Sequence, residues 1–157
     1  MPPQFLFDIS GIDLNHVIYD IEHIKSVNPH RYEMQQLDGV VHLDLDAGTA
    51  IGFKDITENE FWIRGHIPER PLMPGVLMIE AAAQLASFCA TKASGEERFI
   101  AFGGIEDVRF RGQVTPSSRL YLLGKFLEVR PRRFKLAAQG LVEGQMIFHA
   151  TVIGMPI

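Results

Sequence analysis

The strongest constraint on this chain is one apolar segment near its middle, Gly75-Val76-Leu77-Met78-Ile79-Glu80-Ala81-Ala82-Ala83-Gln84-Leu85-Ala86-Ser87-Phe88-Cys89-Ala90. Read at helical spacing it is apolar nearly all round, so a helix here belongs inside a fold or at a tight subunit interface. The spacing predicts a helix over 75–91. Its polar residues, Glu80, Gln84, Ser87 and Thr91, fall at i, i+4, i+7 and i+11 and form one narrow stripe on an otherwise buried rod. A carboxylate in that setting loses hydration unless a donor compensates. Either Gln84 simply satisfies Glu80 on a stripe that faces water, or the stripe holds a working carboxylate. With Glu80 and Gln84 interrupting it, the segment reads as too short and too polar to span a bilayer, which takes about 20 apolar residues.

What surrounds that helix is mostly strand. Asp20-Ile21-Glu22-His23-Ile24-Lys25-Ser26-Val27 has a helical rhythm and stops at Asn28-Pro29. Val41, Leu43 and Leu45 alternate with His42, Asp44 and Asp46 as in a half-buried strand, and 50–56 and 61–64 read as shorter extended pieces. After the helix, 99–103, 105–111, 120–129, 134–141 and 146–153 read as strands. Gly103-Gly104, Pro116-Ser117-Ser118, Pro131 and Glu143-Gly144 supply the turns between them. Connections this short exclude parallel crossovers. The expected class is α+β, an antiparallel sheet packed on one dominant helix, in a single domain over 1–157.

Composition narrows the function classes. Fifteen Lys and Arg against nineteen Asp and Glu give a net charge of −4, which disfavours a generally basic nucleic-acid binder. The single Cys89 excludes an internal disulfide and any multi-Cys metal centre, leaving only sites built from His and carboxylates. His16, His23, His30, His42 and His149 show no zinc-ligand spacing. The N-terminal stretch Met1-Pro2-Pro3-Gln4-Phe5-Leu6-Phe7-Asp8 has neither the basic start nor the apolar core of a leader, so the cytoplasm is the expected setting.

Chemistry concentrates where the helix begins. Pro74-Gly75 puts a residue without Cβ at an N-terminus whose first N–H groups have no intrahelical partners, a place for an anion or a developing oxyanion. Glu80 follows about one and a half turns further in. His66 lies in the preceding loop, constrained by Pro68, Pro71 and Pro74. A histidine, a semi-buried carboxylate and free backbone donors suit proton abstraction beside a carbonyl.

The run Gly65-His66-Ile67-Pro68-Glu69-Arg70-Pro71-Leu72-Met73-Pro74-Gly75-Val76-Leu77-Met78-Ile79-Glu80-Ala81-Ala82-Ala83-Gln84 resembles the signature of the FabZ-type 3-hydroxyacyl-acyl carrier protein dehydratases of fatty-acid synthesis. Pro29-His30-Arg31-Tyr32, Thr57-Glu58-Asn59-Glu60-Phe61-Trp62 and Asp107-Val108-Arg109-Phe110-Arg111 are similar to further elements of that family. The resemblance implies a hot-dog fold, and a homodimer with shared active sites that commonly assembles into a hexamer. It implies His66 as the base at C2, Glu80 as the acid for the 3-hydroxyl, and the Gly75 N–H as oxyanion donor. Gln84 would support Glu80, Ile67, Met73 and Val76 would line the acyl tunnel, and no metal or organic cofactor would be needed.

The chain also departs from the family pattern. Glu33-Met34-Gln35-Gln36 replaces an apolar run, Ile67 replaces the usual Phe, and Pro116-Ser117-Ser118 replaces a Pro-Gly-Asp turn. For an acidic carrier protein, the candidate contacts are Arg70, Arg109, Arg111, Arg132 and Arg133; Arg109 and Arg111 alternate in phase on one strand. A hot-dog thioesterase and a non-catalytic acyl-thioester binder are the alternatives to the dehydratase.

Overall fold

The computed structural model describes residues 4–157, so the first three residues of the N-terminal stretch read above lie outside the described residues. Helix α1 (Ile21–Val27) is followed by one 3-10 turn (Tyr32–Met34) and two strands, β1 (Gly39–Asp44) and β2 (Thr49–Ile56). Then come the long helix α2 (Gly75–Ser94) and strands β3 (Ile100–Phe110), β4 (Ser118–Arg130), β5 (Arg133–Val142) and β6 (Gln145–Pro156). The strands form one antiparallel sheet in the order β1-β2-β4-β5-β6-β3. One face of that sheet packs on α2, the hot-dog arrangement.

Local chemistry accounts for the helix ends. Asp20 caps α1 by accepting the His23 N–H at 2.9 Å. Helix α2 runs past the expected end at Thr91 and stops where Gly95 turns into the left-handed region at φ 68°. Met78, Ala81, Ala82, Leu85, Phe88 and Cys89 on α2 are buried with Leu120, Leu122, Leu136, Phe148 and Val152 of the sheet. Burial of each large side chain there contributes about 1.5–3 kcal/mol. By length and composition α2 is in fact apolar enough to cross a membrane, which corrects the reading from sequence; 56% of that stretch is buried within the fold.

The other face of the sheet is covered by the N-terminal arm. Phe5, Leu6, Phe7, Ile9, Ile12 and Leu14 pack on Val41, Ile51, Phe53, Leu123 and Leu141. Gln139 anchors the arm, accepting the Leu6 N–H at 3.0 Å and donating to the Gln4 carbonyl at 2.9 Å. This explains why β2 is buried on both faces instead of alternating.

Three sequence expectations change. Leu45 is exposed in the turn after β1 ends at Asp44, and a bulge between Val40 and His42 puts Val41 and Leu43 in different core clusters instead of on one face. Residues 61–64 are turn rather than strand: the Ile63 N–H donates to the Glu60 carbonyl, and those of Gly65 and His66 both donate to Trp62. Gly103-Gly104 makes a bulge instead of a turn, so 100–110 is one strand with a second irregularity between Glu106 and Arg109. Arg111 consequently lies beyond the strand end, not in simple alternation with Arg109.

Strand β3 is an edge strand, and a greasy one. Phe102, Ile105, Val108 and Phe110 are exposed along it, with Phe99 just before it. Folded chains rarely leave such an edge unpaired.

Candidate active site

The loop between Trp62 and α2 is fixed by its own backbone. The Leu72 N–H donates to the His66 carbonyl at 3.0 Å, Ile67 and Arg70 exchange N–H···O bonds at 3.1 and 2.8 Å, and the Met73 N–H donates to Val114 at 2.8 Å. These bonds orient His66, whose Nδ1 lies 2.7 Å from the Leu72 carbonyl oxygen. A carbonyl can only accept, so Nδ1 carries the proton and Nε2 presents a lone pair. The ring is exposed.

Glu80 lies further along α2, on the stripe read from sequence, where it is half-buried. Gln84 is buried; its Nε2 donates to Glu80 Oε1 at 2.9 Å and to the Met34 carbonyl at 2.7 Å, and its Oε1 accepts the Gln36 N–H at 2.9 Å. Asn28 adds a bond from Nδ2 to the Gln84 carbonyl at 2.9 Å. The polar side chains at 35 and 36, in place of the family's apolar run, bond the backbone of their own segment, whose Met34 carbonyl and Gln36 N–H hold Gln84. Gln36 Nε2 donates to the Glu33 carbonyl and Gln35 Nε2 to the Leu37 carbonyl, each at 2.7 Å. Gln84 does satisfy Glu80, as one reading of the stripe expects, but from inside the fold.

Glu80 opens onto a cavity of about 260 Å³ lined by His30, Ala83, Ser87, Phe102 and Phe134 among others. His30 is the residue that sequence spacing missed. Its Nε2 lies 3.6 Å from Glu80 Oε1. Fifty positions separate the two, so only the tertiary fold brings them together; the one signal available was the Pro29-His30-Arg31-Tyr32 element. Burial lowers the His30 pKa from its ordinary value, Glu80 pulls it back up, and Arg31 pushes it down.

At the start of α2 the absent side chain of Gly75 has a visible use. A Cβ there would meet the Phe110 ring at 2.8 Å, so the ring lies directly over the helix N-terminus. Ile67 and Val76 are exposed, whereas Met73 is buried in the core and lines neither described cavity. Arg70, Arg109 and Arg111 are exposed at the His66–Gly75 end of the molecule, where Phe110 touches Gly75. Arg132 and Arg133 are on the β4–β5 hairpin, and Arg133 is paired with Glu128 at 3.1 Å. That hairpin borders a second cavity of about 720 Å³ beside Ala93 and Ser94, at the other end of α2.

In the single chain no contact joins His66 to Glu80 among the described residues. Nor do the described residues hold a group of three His, Cys, Asp or Glu side chains placed to bind a metal ion. Burial pushes the Cys89 thiol up to about 12, which leaves it without nucleophilic character.

The FabA-like domain family matches residues 28–151, a span that takes in His30, His66, Gly75, Glu80 and Gln84. The chain belongs to the FabA-like family. Within it, the chain is 37% identical over 137 residues to the 3-hydroxyacyl-[acyl-carrier-protein] dehydratase FabZ of Sinorhizobium medicae, covering 87% of this chain and 88% of that one. It is 38% identical over 137 residues to the Rhizobium etli enzyme of the same name, with the same coverage. In three dimensions this FabA-like chain is similar to a chain of the dehydratase heterocomplex ApeI:P from Xenorhabdus doucetiae. The TM-score is 0.73 over 85% of this chain and 90% of that one, at 15% identity, a likeness of fold.

Proposed function

We propose that this FabA-like chain is a hydro-lyase that converts a 3-hydroxyacyl thioester, carried on acyl carrier protein, to the 2-enoyl thioester for fatty-acid synthesis. The observation that carries the reading is Glu80, held by Gln84 and opening onto an apolar cavity, in one continuous motif with an oriented His66. His66 Nε2 takes the C2 proton, and the electron pair left behind forms the C2–C3 double bond as the C3–O bond breaks. The departing hydroxyl receives a proton from the Glu80 carboxyl and leaves as water. Charge on the thioester oxygen is stabilised by the Gly75 N–H and the positive end of α2.

Such a site needs a second copy of the chain. The exposed apolar side chains of β3 and the unpaired edge they follow support a dimer formed along that strand, which would bring the partner's loop toward Glu80. Arg70, Arg109 and Arg111, at the His66 end, are better placed to meet an acidic carrier than Arg132 and Arg133 on the hairpin. A cytoplasmic setting belongs to the same reading, supported by the lone unpaired Cys89 and by the packing of α2 under the sheet.

The test uses His66→Ala and Glu80→Gln. Each variant alone is expected to lose turnover by at least about 100-fold while remaining a folded dimer. Mixed and re-equilibrated in equal amounts, the two should recover about a quarter of the parent activity, since half of the dimers then contain one intact site. Full activity in either variant alone would overturn the assignment of the residues, and a mixture that stays inactive would overturn the shared site.

A further inference from the structure

Glu80 has two carboxylate oxygens, and the fold treats them differently. Oε1 receives the Gln84 Nε2–H at 2.9 Å and faces His30 Nε2 at 3.6 Å, while Oε2 makes no hydrogen bond among the described residues. His30 and Glu80 line the same cavity. Among the described residues no other titratable side chain lines it; the remaining charge near His30 is Arg31, whose guanidinium is turned to the carbonyls of Lys25, Asn28 and His30.

The far nitrogen of His30 decides the form of the ring. Nδ1 is buried without a hydrogen-bond partner among the described residues. A proton there would be a buried donor with nothing to donate to, which costs about 1–3 kcal/mol. A lone pair costs less, so the neutral ring places its hydrogen on Nε2, toward Glu80.

We infer that His30 is a positioning residue for Glu80: with Gln84 it engages Oε1 from two sides, leaving Oε2 to carry the acid proton into the cavity. This rests on the dehydratase reading. A carboxyl whose Oε1 accepts from Gln84 and faces the His30 N–H at 3.6 Å carries its own hydrogen on Oε2, the oxygen left for the substrate hydroxyl. The same two donors meet the negative charge that appears on the carboxylate as that proton is given up. Protonating His30 at low pH would add the unpartnered Nδ1–H and turn the neutral donor beside Glu80 into a cation. The parent pH profile should therefore change as His30 charges, below the ordinary histidine range because burial depresses its pKa, and that feature should be missing in His30→Gln.

The experiment has two arms. In the first, kcat and KM are measured from pH 5 to 9 for the parent, His30→Ala and His30→Gln, with dimer formation checked by gel filtration. His30→Ala is expected to lose kcat by about 10- to 100-fold with KM changed less, and His30→Gln, which keeps an N–H donor and cannot titrate, should recover much of it. The second arm follows the His30 ring signal by NMR in the parent and in Glu80→Gln, and needs no turnover. Its titration midpoint should fall in Glu80→Gln, because the carboxylate that raises it is gone. An unchanged midpoint, or a folded His30→Ala dimer with parental kcat and pH profile, overturns the proposal. A parent enzyme that forms no enoyl product refutes the dehydratase reading instead, and the NMR arm still decides whether the two side chains interact.

Discussion

Replacing Gln84 by glutamate changes one NH2 group to an oxygen and leaves the shape of the side chain almost untouched, yet the site should reject it. In the folded protein that NH2 donates to the Met34 carbonyl at 2.7 Å and to Glu80 Oε1 at 2.9 Å, both of which can only accept. An ionised carboxylate at this position would press two acceptors against Glu80 and the Met34 carbonyl. The folded state therefore keeps the new side chain protonated, and its pKa rises above the unfolded value of about 4.3. The sign follows from linkage. Below about pH 4 the group is neutral in both states and costs little. As pH rises, the unfolded chain releases the proton and the folded chain does not, so stability falls by about 1.4 kcal/mol per pH unit until the folded pKa is reached. By pH 7 the deficit relative to the parent should reach about 3–4 kcal/mol. Urea unfolding of both proteins at pH 4.5, 5.5 and 7, at one fixed protein concentration because the dimer couples to stability, measures it. A deficit that does not change over that range would refute the hydrogen-bond directions assigned to Gln84.

Two other substitutions probe separate parts of the fold. Lys54 is buried between Asp38 at 3.5 Å and Glu60 at 3.2 Å, and burial already raises the Asp38 pKa against the pull of Lys54. Lys54→Met strands both carboxylates and should cost about 3–5 kcal/mol at pH 7 by urea unfolding, and less at pH 4, where Asp38 takes up a proton. Gly75→Ala places a Cβ 2.8 Å from the Phe110 ring, which is exposed enough to swing aside. The melting temperature should therefore move little, while kcat/KM falls by about 10-fold or more because the new methyl and the displaced ring crowd the approach to the helix N-terminus.

How much of this was legible in the sequence depends on the range of the interactions involved. The extent of α2, the polar stripe and the order of strands rest on local periodicity, and they stand, with α2 ending a few residues late at Gly95. The errors fall where a turn or a bulge intervenes. Residues 61–64, read as extended, fold into a turn, and the doubled glycine at 103–104 bends a continuous strand instead of ending it. Of the proposed site, His66, Gly75, Glu80 and Gln84 are readable from sequence because a single motif carries all four. His30 and Phe110 were not, since each reaches the site from a distant element and neither has a telling spacing. The polar replacements at 35 and 36 turn their side chains to the local backbone, while the backbone of Met34 and Gln36 holds Gln84.

The central claim is that this chain removes water from a 3-hydroxyacyl thioester. It is tested most directly by supplying a short 3-hydroxyacyl chain on acyl carrier protein and following enoyl absorbance and free thiol in the same sample. Enoyl absorbance that rises without thiol release is the expected result. Free thiol appearing without enoyl product would contradict it and make the chain a thioesterase; acyl carrier that binds and is recovered unchanged would contradict it in favour of a binding protein.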